Sequence, residues 1–404
     1  MKLVIAEKPS VAMALASVLG ARTRKDGYVE GNGYIVSWCV GHLVGLCDAS
    51  EYDEKYKKWR YEDLPIVPEC WKHRVLEGTK KQFGILKKLM RDSKVDEVIC
   101  ATDAGREGEL IFRLVYEQAG CKKPMKRLWI SSMEEQAIKD GFASLKDGSC
   151  YDSLYQSALC RAKADWLVGI NASRLFSVLY NQNLKVGRVQ TPTLAMIVDR
   201  NQKIKEFTKE KYYMAHIKFD DMDAVTEHFQ KKEDADKVAA DCAERMCEVE
   251  KDDVKEKTVR PPKLYDLTTL QREANRMFGY TAQQTLDAVQ EMYEQKLVTY
   301  PRTDSQYLTD EMGESTETLI QMLLGKMPYA EGLEYQPDVS KVLNSKKVSD
   351  HHAIIPTMEV AKADIGKLKE RNCKILYLIS ARVLTATADP YIYESHKCQI
   401  TCNY

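Results

Sequence analysis

"VDEVICATDAGREGELIFRLVYEQAG", residues 95–120, is the stretch from which the fold can be worked out. "VDEVICAT" carries a short apolar run and reads as a strand. "ELIFRLVYEQAG" reads as a helix closed by a glycine. The junction between them holds Asp103, Glu107 and Glu109. The same strand-then-helix unit recurs on both sides. "KLVIAE" (2–7) is a strand, and "VAMALASVLG" (11–20) a helix that Ser10 can cap and Gly20 ends. "YIVSWCV" (34–40) is a strand, and "TKKQFGILKKLMRDS" (79–93) sets Phe83, Leu86, Leu89 and Met90 at helical spacing. "RLWISS" (127–132) and "EEQAIKDGFASL" (134–145) repeat the pair. Such alternation predicts a mostly parallel sheet with helices on its faces. Ligands of these sheets sit at the carboxyl ends of the strands.

Those carboxyl ends carry acids. Glu7 ends the first strand, and Asp103, Glu107 and Glu109 follow a later one. Carboxylates from two strand ends can converge on one hard cation, and Mg²⁺ is typically held by one or two carboxylates with water and phosphate oxygens. Lys8 is placed to meet a phosphate. Acids also favour helix N-termini for their own sake. Two acidic strand ends in one sheet make a shared site the stronger reading.

The chain has 404 residues, 30% charged and 44% hydrophobic, which predicts a folded protein of two to four domains. No apolar run is long enough for a membrane span, and "MKLVIAEKPS" lacks the features of a signal peptide. Twelve cysteines without a C-x-x-C pair predict reduced thiols and a cytoplasmic protein rather than a zinc ribbon. Formal net charge is zero, so any polyanion must be met by a local basic cleft. "KYKKWR" (55–60), "KKQFGILKK" (80–88) and "KKPMKR" (122–127) are basic runs, and "DDMDAVTEHF" (220–229) is acidic. Runs of this kind are most often solvated faces.

Farther along, residues 151–200 read as helical and 205–255 as strands with a helix. "TVRPPKLYDLTT" (258–269) reads as a linker into a new domain. Two helices follow, the second starting at Thr281, and then "LVTYPRTDSQYL" (297–308). Leu297 to Thr299 are predicted as a strand that Pro301 stops, since proline has no backbone donor. Tyr300 therefore stands where strand becomes loop. By itself this pattern is more often a half-buried tyrosine beside a solvated turn.

Six ordered stretches lift that ambiguity. "LVIAEKPS" (3–10) and "ATDAGREGE" (101–109) resemble the two motifs of a Toprim domain. "RAKADWLVGINASR" (161–174), "VGRVQTPTLAMIV" (186–198), "LVTYPRTDSQYL" and "DHHAIIPT" (350–357) resemble motifs of type IA DNA topoisomerases, in the bacterial topoisomerase III branch. "LYLISARVLTATADP" (376–390) fits more weakly. The implied fold is α/β plus mostly α. Its parts are an N-terminal Toprim parallel-sheet domain (1–150), a helical strand-binding segment (151–205), part of a β arch (206–260), a winged-helix-like tyrosine domain (261–357) and the start of a return into the arch (358–404).

The resemblance implies ATP-independent breakage of single-stranded DNA through a 5′-phosphotyrosine at Tyr300, strand passage and religation. Arg302 and Lys8 would stabilise charge on the phosphate, Glu7 would carry the proton of the 3′-oxygen, and His351 would bond the scissile phosphate. Glu7, Asp103 and Glu107 would hold Mg²⁺. Arg161 and Asp165 lie one helical turn apart on one face and match residues that read a base upstream of the cut. Trp166 can stack on a base, with Trp59 a weaker candidate. Arg174, Lys185 and Arg188 can meet phosphates, and Gln190 the backbone, within the stretch Val186, Gly187, Arg188, Val189 and Gln190. Unpaired DNA is the implied partner, with a helicase as a possible second one, and no membrane.

Two departures stand out. Many relatives carry Asp-x-Asp-x-Glu, where this chain has Gly105 in the middle, so Glu107 or Glu109 is expected to compensate in part. Lys185 stands where many relatives have serine. The sequence is also expected to end before the arch's full return and without zinc fingers. That keeps open a second reading, a relative that grips or cleaves single strands without completing strand passage.

Overall fold

The computed structural model describes residues 1–404 except 220, 221, 244, 334, 403 and 404. Two acids of the acidic run and the last two residues of the strand-like C-terminal stretch therefore lie outside the described residues. The chain forms two compact units, Met1–Gln190 with Pro262–Ala388, and Thr191–Pro261 with Asp389–Tyr404.

The first unit opens with β1 (Lys2–Ala6), α1 (Pro9–Leu19), β2 (Thr23–Lys25), β3 (Tyr28–Gly31) and β4 (Tyr34–Trp38). A small ribbon, β5 (Val44–Leu46) with β6 (His73–Val75), precedes α2 (Lys80–Arg91), β7 (Glu97–Ala101) and α3 (Arg106–Gln118). Then come β8 (Met125–Arg127), α4 (Glu135–Ala143), β9 (Lys146–Asp147) and the long α5 (Asp152–Tyr180). Seven strands make one sheet in the order β2-β3-β4-β1-β7-β8-β9. Its centre, β4-β1-β7-β8, is parallel, and its flanks are antiparallel.

β1 is buried from Leu3 to Ala6 and alternates between two cores, as a strand covered on both faces must. Leu3 and Ile5 join Val98, Cys100 and the apolar stripes of α2, α3 and α5. Val4 and Ala6 join Ile99, Ala101, α1 and residues from 264 to 386, Tyr300 among them. The register pairs Ala6 with Ala101, so Glu7 and the loop after β7 leave the sheet side by side.

Two expectations are corrected here. α1 begins at Pro9, with Lys8 rather than Ser10 at the cap position and no side-chain cap. Proline at the first turn lacks only a donor that would have no intrahelical partner anyway. "RLWISS" leaves the sheet after Leu128 N–H bonds Cys100 O at 2.9 Å, because β7 itself ends at Ala101 and offers nothing further to pair with.

The second unit contains α6 (Gln190–Lys205) from Thr191 onward, β10 (His216–Phe219), β11 (Met222–Val225), α7 (Lys232–Cys242) and β12 (Cys247–Val259). α6 has no buried residue among those described. The later first-unit helices are α8 (Leu267–Phe278), α9 (Ala282–Glu294), α10 (Gly313–Lys326) and α11 (Glu370–Ala386). β13 (Tyr391–Cys402) belongs to the second unit and runs antiparallel to β12 along its length, from Cys247↔Cys402 to Val259↔Tyr391. The stretch expected as 358–404 is thus divided. Ile375, Leu376, Ile379 and Val383 of α11 are buried in the core shared with α8 and α9, and only the strand beyond Ala388 returns to β12.

The predicted strand before Tyr300 is reduced to one bridge, Val298 with Pro356. Thr299 N–H bonds Ile355 O, and Thr357 N–H bonds Leu297 O, both at 2.9 Å. Prolines 301 and 356 remove donors that a longer ladder would need.

Candidate active site

The aligned ends of β1 and β7 bring two carboxylates together. Glu7 is 8% exposed and accepts from Asp103 N–H at 3.3 Å. Burial, and then the Asp103 charge, push the Glu7 carboxyl up to about 7, against Lys8 and Arg302. Burial also holds Asp103 above the usual carboxylate range, against the pull of Lys8. Two buried acids that resist ionisation together are the donor set that a hard divalent cation relieves. Among the described residues no group of three His, Cys, Asp or Glu side chains is gathered for a metal. Glu7 and Asp103 therefore fit a cation that completes its shell with water and phosphate.

The other two acids of "ATDAGREGE" go elsewhere. Glu107 lines the same cleft, but its carboxylate bonds His42 Nε2 at 2.6 Å. Glu109 turns inward. It is fully buried, ion-paired to Arg113 at 2.9 Å and to Arg127 at 3.0 Å. Glu109 thus cannot compensate for Gly105, because both its oxygens are already held by guanidinium groups in the core. A Cβ at position 105 would stand 3.8 Å from the Asp350 carboxylate, so an acid there would face another acid.

Tyr300 enters the cleft from the opposite side. It is 8% exposed, and its hydroxyl donates to Asp103 Oδ2 at 3.0 Å. Burial, then Asp103 and Glu7, raise its phenol well above the ordinary range, and Arg302 opposes them. The ring lies 4.2 Å from that of His351 and edge-on to Tyr293 at 5.4 Å. Burial, then His352, lower the His351 imidazole to about 4, so it is neutral at physiological pH. Arg302 is exposed at the rim, and half-buried Lys8 acts on both carboxylates through its charge. Glu7, Asp103, Glu107, Arg161, Tyr300, Arg302, Asp350 and His351 line one cleft of about 740 Å³.

A second cavity, about 730 Å³, follows the next turns of α5. Asp165, Trp166, Arg174, Lys185, Val186 and Gln190 line it together with Trp59. Hydrogen bonds from α5 to the segments beside it build it. Ser173 Oγ accepts from Val186 N–H at 2.9 Å, and Ser177 Oγ from Leu184 N–H at 2.9 Å, which fixes the strand-like stretch on the helix. Asn171 bonds both backbone groups of Ile66, anchoring the loop that carries Trp59. Asp165 holds Arg188 at 2.6 Å and is 3.9 Å from Arg161. Trp166 spends its indole N–H on Cys47 O at 2.9 Å and meets Trp71 and Tyr52 edge-on. Arg174 is buried, its guanidinium 5.4 Å from the centre of the Trp59 ring. Trp59, 44% exposed, is the aromatic face left open beside this cavity. Gly187 and Val189 stand between Val186 and Gln190 but do not line the cavity.

Comparison with known proteins now bears on the site. A family model described as DNA topoisomerase matches residues 149–404, and a Toprim domain model matches 2–133. The chain belongs to the type IA DNA topoisomerase family. It is 44% identical to DNA topoisomerase 3 of Shouchella clausii, over 100% of this chain and 57% of that protein. It is 43% identical to DNA topoisomerase 3 of Staphylococcus epidermidis, over 97% of this chain and 56% of that one. The fold is that of full-length topoisomerase I from Thermotoga maritima, with a TM-score of 0.72 at 24% identity, over 99% of this chain and 63% of that chain. The chain spans a little over half the length of the curated relatives it matches. Among the described residues, no helix is long and apolar enough to cross a membrane.

Several residues in or around this cleft escaped the sequence reading. Arg127 closes the basic run "KKPMKR", which reads as a solvated face, yet it is 1% exposed. Its guanidinium donates to the carbonyls of Thr102 and Asp103, each at 2.8 Å, besides pairing with Glu109. The one available signal was an arginine opening the predicted strand "RLWISS" of a sheet covered on both faces. His42, Ser131 and Asp350 carried no signal of their own.

Proposed function

We propose that this chain breaks single-stranded DNA by attack of Tyr300 on a phosphodiester, holding the 5′ end as a phosphotyrosine, and rejoins it by the reverse step. The observation that carries the reading is the 3.0 Å hydrogen bond from Tyr300 to Asp103, residues 197 apart in sequence, inside a cleft that also holds Glu7, Arg302 and His351. A buried neutral phenol is a weak nucleophile until its proton leaves and positive charge meets the phosphate. Asp103 is positioned to take that proton. Arg302, whose forked guanidinium matches a phosphate, and Lys8 supply positive charge. As the new P–O bond to Tyr300 forms, the bond to the 3′-oxygen breaks. Glu7, with its carboxyl near 7, suits the delivery of a proton to that oxygen. Religation returns each proton along the same route, and the exchange of one phosphodiester for another needs no ATP. His351, neutral, serves as a hydrogen-bond donor to the phosphate. Glu7 and Asp103 are the residues that would hold Mg²⁺, which would add positive charge beside the phosphate when bound.

The unpaired strand is read as running along α5. Arg161 lines the tyrosine cleft, and Asp165, one turn on, lines the Trp59 cavity. A base stacked on Trp59, with Arg188, Lys185 and Gln190 near its backbone, accounts for this surface. Passage of a second strand requires the tyrosine segment to part from the sheet while the covalent bond holds the 5′ end. A helicase that exposes single strands fits such an enzyme as a partner, and the free thiols fit the cytoplasm. Against a module that only grips strands stands the tyrosine–carboxylate contact, which binding alone does not need.

The test is cleavage of a labelled single-stranded oligonucleotide by the native chain and by Tyr300→Phe, with products denatured before separation. A covalent adduct at the new 5′ end, formed by the native chain alone, is expected. Adduct from both, or from neither while both bind the strand, would remove Tyr300 as the nucleophile.

A further inference from the structure

Ser131 touches the tyrosine segment twice, from the far side of the cleft. It follows β8 on the Toprim side, in the stretch where the chain leaves the sheet. Its carbonyl accepts from Tyr300 N–H at 3.3 Å. Its hydroxyl lies 3.1 Å from His351 Nδ1. Tyr300 and His351 stand on separate stretches of the tyrosine-bearing region, and their rings pack 4.2 Å apart. One small residue thus meets both Tyr300 and His351. Nearby, Glu134 adds a third link by accepting from Met358 N–H at 3.2 Å.

The hydroxyl contact has a chemical consequence. A neutral imidazole carries one proton, and the partner of one ring nitrogen decides which nitrogen holds it. When the Ser131 hydroxyl donates to Nδ1, the proton is left on Nε2. That nitrogen is buried and has no hydrogen-bond partner among the described residues. An Nε2–H is a donor that a phosphate oxygen can use. The opposite tautomer would present a lone pair to an anion.

We propose that Ser131 is a positioning residue. Its hydroxyl selects the His351 tautomer that donates to the scissile phosphate, and its carbonyl sets the depth of Tyr300. This rests on the reading of Tyr300 as the nucleophile. Both bonds join the Toprim side to the tyrosine segment, so both must break whenever that segment lifts away.

Ser131→Ala removes the hydroxyl and keeps the carbonyl. Adduct formed at equal oligonucleotide occupancy should fall about five- to tenfold, the effect of one hydrogen bond, with binding of the strand unchanged. Ser131→Thr, which keeps a hydroxyl, should restore adduct to within about twofold of native. In a His351→Ala background, Ser131→Ala should change nothing further, because the two act as one unit. Should Ser131→Ala fail to fold, Ser131→Cys, a much weaker donor of similar size, is expected to show the same loss. Native levels of adduct in Ser131→Ala, or an equal loss in both backgrounds, would overturn the assignment. A native chain that forms no adduct would overturn the Tyr300 reading and this one with it, whereas adduct from native and from Ser131→Ala alike overturns this one alone.

Discussion

The tyrosine cleft and the Trp59 cavity are nearly equal in volume and differ in everything else. The cleft is made of residues far apart in the chain, and Glu7, Tyr300 and His351 are buried within it. Charge is expensive there, so the carboxyl of Glu7 rises, the imidazole of His351 falls, and the phenol of Tyr300 keeps its proton. The cavity is built on one helix and the loops beside it. Its charged groups are mostly exposed, and Trp59 stands partly in solvent. On the proposed function, the first region suits chemistry on a desolvated phosphate and the second suits a flexible single strand. Burial separates the two roles more sharply than residue type does.

The contrast can be broken most severely at Arg127. Arg127→Met should cost about 3–5 kcal/mol of stability, because it strands a buried Glu109 with Arg113 alone and frees the carbonyls of Thr102 and Asp103. Denaturant unfolding of native and variant chains measures it, and a cost below about 1 kcal/mol would mean that the network adds little. A smaller effect is expected at His351. Between pH 6.5 and about 4 the unfolded chain binds a proton at this position and the folded chain does not. Its contribution to stability is therefore full above pH 6.5 and is lost as pH falls toward 4, by about 3 kcal/mol in all. Glu7, raised to about 7, works in the opposite sense: its contribution grows as pH falls below 7. The measurement is accordingly the difference between native and His351→Gln unfolding curves across this range. That difference should narrow as pH falls, and a constant difference would refute the buried neutral imidazole.

On the cavity side, Trp59→Ala should weaken oligonucleotide binding by about 1–3 kcal/mol, the worth of one stacked base, while leaving thermal stability and the chemical step intact. Lys185→Gln should do least. Binding should weaken slightly and the salt dependence of log K should flatten by about 0.7. If Trp59→Ala alters the cut at saturating DNA, the two regions are not separable in the way their burial implies.

Much of this was legible from the residues. The alternation around "VDEVICATDAGREGELIF" requires a parallel sheet, and a parallel sheet places Glu7 and Asp103 at its carboxyl edge. That follows from local apolar patterning, which a sequence displays directly. The fate of Glu109 was not legible, because its position between two apolar faces of α3 looks the same whether it points to a cation or into the core. Arg127 was misread for a related reason: a basic run shows its charge but not which member a strand turns inward. The hydrogen bond from the Trp166 indole to Cys47 O was not legible either, since it joins residues 119 apart in the chain.

The alternation of strands and helices along the chain, the acids at the strand ends and the tyrosine after its short apolar run were determined by the sequence alone, because each depends on near neighbours along the chain. The hydrogen bond from Tyr300 to Asp103, the inward turn of Glu109 and the double contact of Ser131 were decided by tertiary structure. Each joins groups from distant segments, and desolvation, which no local pattern reports, sets which of them stay charged.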